Sequence, residues 1–238
     1  MTKKLLCLHG WGGSGKSFTE LRESLRNSDI KILSPDLPGF GNEPDPDKPW
    51  SNDDYTDWVE SYIKKNIEGG FMLLGHSHGG RIAIKLAARN KLPISQLYLC
   101  AAAGIRHRHP IKKSIGWILA KTVNLILSVP GLNLLKPFAK KILYKLFRVH
   151  DYEKASDVMR KTFKKVSTEE IRSFLPKINI PTEIFWGEDD SMTPVSDGRL
   201  MSKMIINSTL VTFPNVRHRI HRDRAREIAE AIQKKQTH

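Results

Sequence analysis

Short apolar segments alternate with segments of helical periodicity along most of the chain. The apolar segments are typical of buried strands and lie at 4–10, 30–36, 71–77, 94–104, 182–190 and 208–214. Helical patterns separate them at 17–27, 51–67, 79–90, 195–205 and 223–235. In the second of these, Ser51 and Asp54 match a capping box at the start of the helix. The alternation predicts an α/β protein with a mostly parallel sheet of about six strands, covered by helices on both faces.

Residues 105–175 interrupt this alternation and carry most of the net charge. Between Arg106 and Lys165 there are 15 Lys and Arg against three acidic residues, a difference of +12 within a formal net charge of +14. Part of the segment has apolar residues at helical spacing, namely Leu135, Phe138, Ala139, Ile142, Leu143 and Leu146. We therefore predict a basic helical lid at 105–175, inserted into a core formed by 1–104 and 176–238.

The sequence predicts neither a signal peptide nor a membrane span. The N-terminus MTKKLLCLHG has four consecutive apolar residues, whereas a signal peptide needs roughly 7–15. The longest apolar run, Ile115 to Val129, contains Lys121 and is shorter than the ~20 residues that span a bilayer. Cys7 and Cys100 each fall in a predicted buried strand and are expected as free core thiols. We therefore expect a cytoplasmic protein.

The glycine-rich segment HGWGGSGKS at 9–17 fits a phosphate-binding loop, with Gly, four residues and then Gly-Lys-Ser. Such a protein also needs an acidic residue at the end of another apolar strand, where it holds Mg²⁺. The neighbouring predicted strands end instead in LLGHS and YLCAAAG. This difference disfavours nucleotide binding and leaves Lys16 and Ser17 as the solvated start of the first helix.

The segment GHSHG, Gly75 to Gly79, matches G-x-S-x-G and lies between a predicted strand and a predicted helix. In that context the tight turn holds the serine in a strained conformation, and the glycines let strand and helix approach each other. The hydroxyl of Ser77 is then exposed at a helix N-terminus, whose dipole favours developing negative charge. We predict that Ser77 is a nucleophile.

A serine nucleophile needs a base and an acid at neutral pH, and both follow it in the expected chain order. Three carboxylates end the fifth predicted strand, at Glu188, Asp189 and Asp190. His218 follows the last predicted strand, with His221 one turn later. We predict Asp190 and His218 as the partners of the serine, and Asp189 or Glu188 and His221 stay as alternatives.

Four motifs together resemble the α/β-hydrolase superfamily. HGWGG is similar to its oxyanion loop, DLPGFG at 36–41 to a following loop in which Asp36 is expected to cap a turn, and GHSHG to its nucleophile elbow. In that family the acid stands three residues after the Gly of a WG pair, with Pro four residues further. Counting from Gly187 gives Asp190 and Pro194. The resemblance implies an α/β-hydrolase fold and a Ser-His-Asp triad.

The resemblance also implies roles for residues around the nucleophile. The backbone N–H groups of Trp11 and His78 are expected to form an oxyanion hole. His9, Gly10 and His76 are expected at the substrate-binding site, where His9 shapes the loop and His76 packs or forms a hydrogen bond. The imidazole of His78 is a further candidate for contact with the substrate.

These features predict a serine hydrolase that cleaves a carboxylic ester with a hydrophobic acyl or alcohol part, without cofactor or metal. A thioesterase, an esterase for carrier-bound esters and a non-enzymatic lipid-surface binder are alternatives. The basic lid fits a solvated outer face, an anionic membrane surface or an acidic carrier protein. Nucleic acid is a disfavoured partner because few aromatic residues lie among the basic ones.

Overall fold

Six strands form one sheet within the residues that the computed structural model describes, 2–107 and 155–234. The strands are β1 (Lys3–Leu8), β2 (Ile30–Leu33), β3 (Phe71–His76), β4 (Ile94–Cys100), β5 (Thr182–Gly187) and β6 (Ser208–Phe213). Their order is β2-β1-β3-β4-β5-β6, and each neighbouring pair is parallel. The predicted mostly parallel sheet of about six strands is confirmed.

Helices flank this sheet and follow the predicted alternation. They are α1 (Thr19–Ser24), α2 (Asn52–Asn66), α3 (His78–Arg89), α4 (Asp157–Thr168), α5 (Val195–Met204), α6 (Ile220–Asp223) and α7 (Ala225–Lys234), with 3-10 helices at Gly15–Phe18 and Arg172–Lys177. The helix predicted at 17–27 is instead a 3-10 turn followed by the short α1, and α6 precedes the helix predicted at 223–235. At the start of α2, the Asp54 N–H donates to Ser51 Oγ (3.3 Å) and the Ser51 N–H donates to Asp54 Oδ2 (2.6 Å), which confirms the capping box.

The strand order opens a crevice at the carboxyl ends of β1 and β3. From β1 the chain crosses to β2, on one side of β1, whereas from β3 it crosses to β4, on the opposite side. The loops after β1 and β3 therefore diverge. Leu8 pairs with Gly75 and His76 pairs with Cys100, which keeps these strand ends level. Because all six strands run in parallel, the loops after β1, β3, β5 and β6 meet at this same edge.

The N-terminal turn of α3 approaches the sheet closely at two glycines. A Cβ atom on Gly79 would lie 2.1 Å from the carbonyl oxygen of Leu8, and one on Gly75 would lie 2.5 Å from the carbonyl oxygen of Gly79. Both contacts are with backbone atoms, which cannot rotate away. Glycine at these positions therefore fixes the start of α3 directly over the ends of β1 and β3.

The described end of the predicted lid packs against α2. Met159, Thr162 and Val166 form a buried stripe on α4. The Thr162 Oγ1 accepts a hydrogen bond from the Trp50 N–H (3.0 Å), and the Val166 carbonyl accepts one from Asn52 Nδ2 (3.0 Å). This part of the insertion is therefore joined to the core by polar and apolar contacts.

The predicted apolar stripe and the run with Lys121 fall in 108–154, outside the described residues. The lid and its boundaries at 105 and 175 therefore stay predictions, and position 175 falls within the 3-10 helix Arg172–Lys177. Cys7 and Cys100 are both buried free thiols. Over the described ranges, the helices are too short or too polar to cross a membrane.

Candidate active site

Ser77 lies at the turn between β3 and α3 in a strained backbone conformation. Its φ is +52° and its ψ is −112°, in a region that costs residues other than glycine of order 1–3 kcal/mol. The turn is held on both sides, since the Ser77 N–H donates to the Cys100 carbonyl (3.1 Å) and the Ser77 carbonyl accepts from the Ala103 N–H (3.0 Å). The hydroxyl is thereby fixed at the edge of the sheet, at the N-terminus of a helix.

Three side chains from distant parts of the chain join in series at this serine. His218 Nε2 lies 3.0 Å from Ser77 Oγ, and His218 Nδ1 lies 2.7 Å from Asp190 Oδ2. With the Nδ1 proton donated to the carboxylate, the Nε2 lone pair faces the serine hydroxyl. This arrangement can move a proton from the hydroxyl to the imidazole, which is the chemistry that a serine nucleophile requires.

Asp190 is buried at the end of β5, and a local turn satisfies its carboxylate. Oδ1 accepts from the N–H groups of Met192 (2.8 Å) and Thr193 (3.0 Å), and Oδ2 accepts from the Thr193 hydroxyl (2.8 Å). Burial alone would raise the pKa of Asp190, but the hydrogen bonds from His218 and Thr193 outweigh it and hold the pKa below its usual value. The carboxylate is therefore ionised at neutral pH.

The two alternative acids point elsewhere. Glu188 is exposed and its carboxylate accepts a hydrogen bond from the Thr212 hydroxyl (2.8 Å). Asp189 is also exposed, and its backbone N–H donates to the Val216 carbonyl (3.0 Å), which ties the loop after β5 to the loop after β6. Of the three candidate carboxylates, the structure brings Asp190 to the imidazole.

The alternative base, His221, lies behind the site rather than in it. Its ring packs against the ring of His76 at 3.8 Å between centroids, and neither of its nitrogens has a hydrogen-bond partner in the described parts of the chain. Burial lowers the pKa of His221 to about 3, so the ring is neutral. His76 in turn donates from Nε2 to the His218 carbonyl (3.0 Å). These two rings therefore support the backbone that carries His218.

The loop after β1 lies directly against Ser77. A Cβ atom on Gly10 would lie 2.9 Å from His76 Nδ1 and 3.1 Å from Ser77 Cβ, so this position requires glycine. His9 is fully buried, with Nδ1 donating to the Gly10 carbonyl (2.8 Å) and Nε2 accepting from the Leu37 N–H (2.9 Å). Both nitrogens of His9 are thus used within the protein, so the ring shapes the loop and has no polar atom left for a substrate.

Trp11 and His78, the two residues predicted to supply the oxyanion hole, flank Ser77. Their rings lie 5.6 Å apart. Across residues 2–107 and 155–234, neither backbone N–H donates a hydrogen bond to the protein. Their availability as donors is consistent with the predicted oxyanion hole, which stays a prediction.

The carboxylate of Asp36, in the loop after β2, binds the glycine-rich loop at 9–17 that also matched a phosphate-binding pattern. Its Oδ1 accepts from the Gly15 N–H (2.6 Å) and its Oδ2 accepts from the Asn42 N–H (2.8 Å). A carboxylate at this backbone donor would repel a phosphate. Lys16, the lysine of the phosphate-binding pattern, is exposed to solvent. The prediction that Asp36 caps a turn is confirmed, and the geometry argues further against nucleotide binding.

An aromatic cavity of about 410 Å³ opens beside the loop after β1. Trp11 and Phe40 line it on one side and Met159 of α4 lines it on the other. The ring of Trp11 also contacts those of Phe40 (4.8 Å) and Phe163 (5.0 Å). The cavity therefore places aromatic and thioether surface beside Trp11, whose ring also contacts that of His78 (5.6 Å), and Asp45 and Ser156 add polar atoms to its wall.

Thr193 was missed by the sequence analysis although it touches both Asp190 and His218. Besides its bonds to the Asp190 carboxylate, its Oγ1 lies 3.2 Å from His218 Nδ1 and 3.3 Å from the Ala101 carbonyl. The signal was present as Asp followed three residues later by Thr, a pattern typical of a side-chain-capped turn.

Comparison with known proteins gives one family. Residues 5–231, nearly the whole chain, match the model of the Alpha/beta hydrolase family. One similar protein is Lipase 3 of Moraxella sp. (strain TA144), 27% identical over 232 residues that cover 90% of this chain and 71% of the lipase. Another is the pimeloyl-[acyl-carrier protein] methyl ester esterase of Shewanella woodyi, 28% identical over 236 residues that cover 91% of this chain and 87% of the esterase.

A solved structure shares the same fold at low sequence identity. The esterase from Exiguobacterium antarcticum superposes with a TM-score of 0.75 and is 22% identical in sequence. The superposition covers 98% of this chain and 91% of the esterase chain. At this identity the likeness is one of fold.

Proposed function

Because the chain belongs to the alpha/beta hydrolase family, we propose that it is a serine hydrolase that cleaves a carboxylic ester through an acyl-enzyme. The observation that carries the proposal is the hydrogen-bonded series from Ser77 through His218 to Asp190, with contacts of 3.0 and 2.7 Å. The names of the similar lipase and methyl ester esterase support an ester as the substrate.

The reaction proceeds in two halves with His218 as the proton carrier. Ser77 Oγ attacks the acyl carbon as His218 Nε2 takes its proton, and the imidazolium then protonates the departing alcohol oxygen. A water molecule next loses a proton to the same nitrogen and attacks the acyl-enzyme. Collapse of the second intermediate returns the proton to Ser77 and releases the acid.

Two features of the site stabilise the charges that form. The ionised Asp190 orients the imidazole and offsets its positive charge after proton transfer. The oxyanion is held by the backbone N–H groups of Trp11 and His78, at the positive end of the α3 dipole. Loss of one such donor raises the barrier of comparable reactions by roughly 2.7–4 kcal/mol.

The substrate has a hydrophobic acyl or alcohol part that packs in the aromatic cavity. Trp11, Phe40 and Met159 provide the apolar surface for it. A thioester is a second substrate that the same chemistry accepts, because the attack and the oxyanion are the same. The net charge of +12 between Arg106 and Lys165 supports delivery of the ester by an anionic membrane surface or an acidic carrier protein.

The proposal is tested with Ser77→Ala and a panel of p-nitrophenyl esters of increasing acyl length. We expect kcat to fall by roughly 10⁴- to 10⁶-fold, and wild-type protein quenched during turnover should show the mass of one acyl group on Ser77. The matched control is Ser61→Ala, which removes an exposed hydroxyl on α2 and should leave kcat unchanged. Turnover by Ser77→Ala near the wild-type rate would refute the assignment of the nucleophile.

A further inference from the structure

A polar stripe runs along one buried face of α3 and begins next to the nucleophile. It consists of His78, Arg81 and Lys85, whose exposed fractions are 4%, 6% and 1%. Their spacing of three and four residues places them side by side on the helix. Charged side chains are almost never this deeply buried without partners, so each member of the stripe needs one.

Lys85, at the far end of the stripe, has its partners within the protein. Its ammonium group pairs with Asp53 Oδ1 (3.0 Å) and with the Glu169 carboxylate, and it lies 4.9 Å from the centre of the Phe174 ring. Two carboxylates and an aromatic face therefore satisfy this cation.

Arg81, one turn closer to the nucleophile, has no such pairing. Its Nε and Nη1 atoms are buried and have no hydrogen-bond partner among the described residues. The two carboxylates whose charge reaches it are engaged elsewhere: Glu169 binds the lysine, and the oxygens of Glu170 accept from the N–H groups of Arg106 (3.0 Å) and Arg172 (3.1 Å). Burial lowers the pKa of Arg81 to about 10, so the group is still a cation at neutral pH.

His78 adds a second unpartnered donor to the same place. Its Nε2 is buried without a hydrogen-bond partner in the described part of the chain. His78 immediately follows Ser77 in sequence. The centre of its ring lies 5.6 Å from that of Trp11 and 5.0 Å from that of Tyr55. Burial and the charge of Arg81 hold the pKa of His78 well below its usual value, so the ring is neutral and can donate from one nitrogen.

We propose that Arg81 and His78 bind a carboxylate carried by the substrate, so that the preferred ester has an anionic group at a fixed distance from the scissile carbonyl. This inference rests on the proposed function, since it concerns the substrate of the same serine. An orphaned guanidinium N–H and the N–H of the neutral imidazole can each donate to one oxygen of a carboxylate, and the positive charge of Arg81 offsets the negative charge of that group.

A carboxylate fits the charge of the site better than a phosphate monoester does. Arg81 is the single cation of the stripe without an ion pair in the described residues, and a carboxylate brings one negative charge. A phosphate monoester carries ≈ −1.5 to −2 at neutral pH, which would leave negative charge buried and uncompensated.

The helix sets the distance between the two ends of the substrate. Ser77 and Arg81 are four residues apart, which separates their backbones by about 6 Å along a helix axis, and helical side chains lean towards the N-terminus, that is, towards Ser77. A short chain of methylenes between the ester carbonyl and the carboxylate spans this distance. The class of substrate is therefore a half-ester of a short dicarboxylic acid.

The experiment compares monomethyl esters of the C4 to C8 dicarboxylic acids with methyl esters of the monocarboxylic acids of equal length, by methanol release. For wild type we expect a higher kcat/KM on the anionic ester, with an optimum at one chain length. In Arg81→Gln the ratio of kcat/KM between anionic and neutral esters should fall by about 10- to 100-fold, and Arg81→Lys should restore part of it.

The matched control is Arg89→Gln, which removes one positive charge from the same helix at its solvent end. Arg89 pairs with Asp53, Asp57 and Glu60 at the surface, so the ratio should stay at the wild-type value. A ratio unchanged in Arg81→Gln would overturn the proposal, as would a wild-type preference for a phosphate-bearing ester over the carboxylate.

An inhibition assay on the wild-type protein keeps the test independent of whether the variants fold. Free adipate should compete with a neutral methyl ester for the wild-type enzyme, and absence of both this competition and any anionic preference would also overturn the proposal. Failure of the proposed function is distinct, because then no ester at all would be hydrolysed in a Ser77-dependent manner.

Discussion

Asp190 determines the protonation state of the whole hydrogen-bonded series. Its carboxylate is buried, yet three donors from Met192 and Thr193 and the bond from His218 keep it ionised. An ionised acceptor holds the His218 proton on Nδ1, which leaves Nε2 free to take the proton of Ser77. The rate of the proposed reaction therefore depends on the charge of Asp190 as well as on its position.

Replacement of Asp190 with Asn is expected to remove this control while it preserves the shape of the site. The amide can donate a proton to Nδ1, which favours the imidazole tautomer that cannot accept the serine proton. We expect kcat for p-nitrophenyl butyrate to fall by about 10⁴-fold at neutral pH. Asp189→Asn, one residue away and exposed, is the control and should hydrolyse the ester at the wild-type rate. Equal losses in both variants would contradict the assignment of Asp190.

At the scale of the elements, the position of Ser77 depends on how closely α3 can approach β1. The Cβ of an alanine at Gly79 would lie 2.1 Å from the Leu8 carbonyl oxygen, a backbone atom held within the sheet. The helix would have to move away, and the serine turn at its start would move with it. Gly79 thus affects the position of Ser77 through packing alone.

Gly79→Ala is therefore expected to lower both the stability and the activity of the protein. Overpacking of this kind costs about 1–3 kcal/mol of unfolding free energy, which urea titration would measure, and ester hydrolysis should fall more than the folded fraction does. Gly70→Ala is the control because the nearest atom to its Cβ, the Pro93 carbonyl oxygen, is 3.7 Å away. Wild-type stability and turnover in Gly79→Ala would show that the helix can adjust.

Much of this arrangement of elements could be predicted from the sequence because the strands are continuous apolar runs and the motifs stand at their ends. The 3-10 helix at Gly15–Phe18 could not, since it depends on the Asp36 carboxylate, 21 positions away in sequence, binding the Gly15 N–H. The buried polar stripe of α3 was also missed. Periodicity alone does not tell which face of a helix will be covered when that face carries Arg and Lys.

The site could be predicted from residue types, chain order and the family spacing, but burial and direction were needed to exclude the neighbouring candidates. GEDD offers three carboxylates, and counting from Gly187 favoured Asp190. The turn that ends at Thr193 then distinguishes Asp190 from Asp189 in the structure. Likewise HRIH offers two imidazoles, and His221 is excluded as a partner of Ser77 by its packing against His76. Spacing ranks these candidates, whereas tertiary packing excludes the alternatives.

At the scale of the whole molecule, charge is strongly uneven along the chain. The segment from Arg106 to Lys165 carries +12 of the net +14, so the remainder carries +2. A concentrated positive field raises the local concentration of anions and weakens as salt is added. This distribution suits the proposed half-ester, because the same sign of charge that attracts an anionic substrate at long range is present as Arg81 at short range.

Buried neutral histidines make the stability of the whole molecule sensitive to mild acid. His9, His76, His78 and His221 all have a pKa lowered by burial, that of His221 to about 3. In the unfolded chain each titrates near 6.5. Below that pH the unfolded state binds protons that the folded state does not, so stability is full above about pH 6.5 and declines as the pH falls towards the folded values.

His221→Phe is expected to make this decline less steep. The ring packs between His76 (3.8 Å) and Phe18 (5.4 Å) and forms no hydrogen bond with the described residues, so a phenyl ring fits the same space. The free energy of unfolding, measured by urea titration from pH 7 to 5, should lose about 2 kcal/mol less over this range than in wild type, with a difference in slope that approaches about 1.4 kcal/mol per pH unit, the value of one proton, only well below pH 6.5. The titration of Asp190 does not obscure the comparison. Because its pKa is lowered in the folded protein, it changes the free energy of unfolding only below about pH 4. Ester turnover should persist in the variant, whereas identical slopes in the two proteins would show that the imidazole takes up its proton in the folded state.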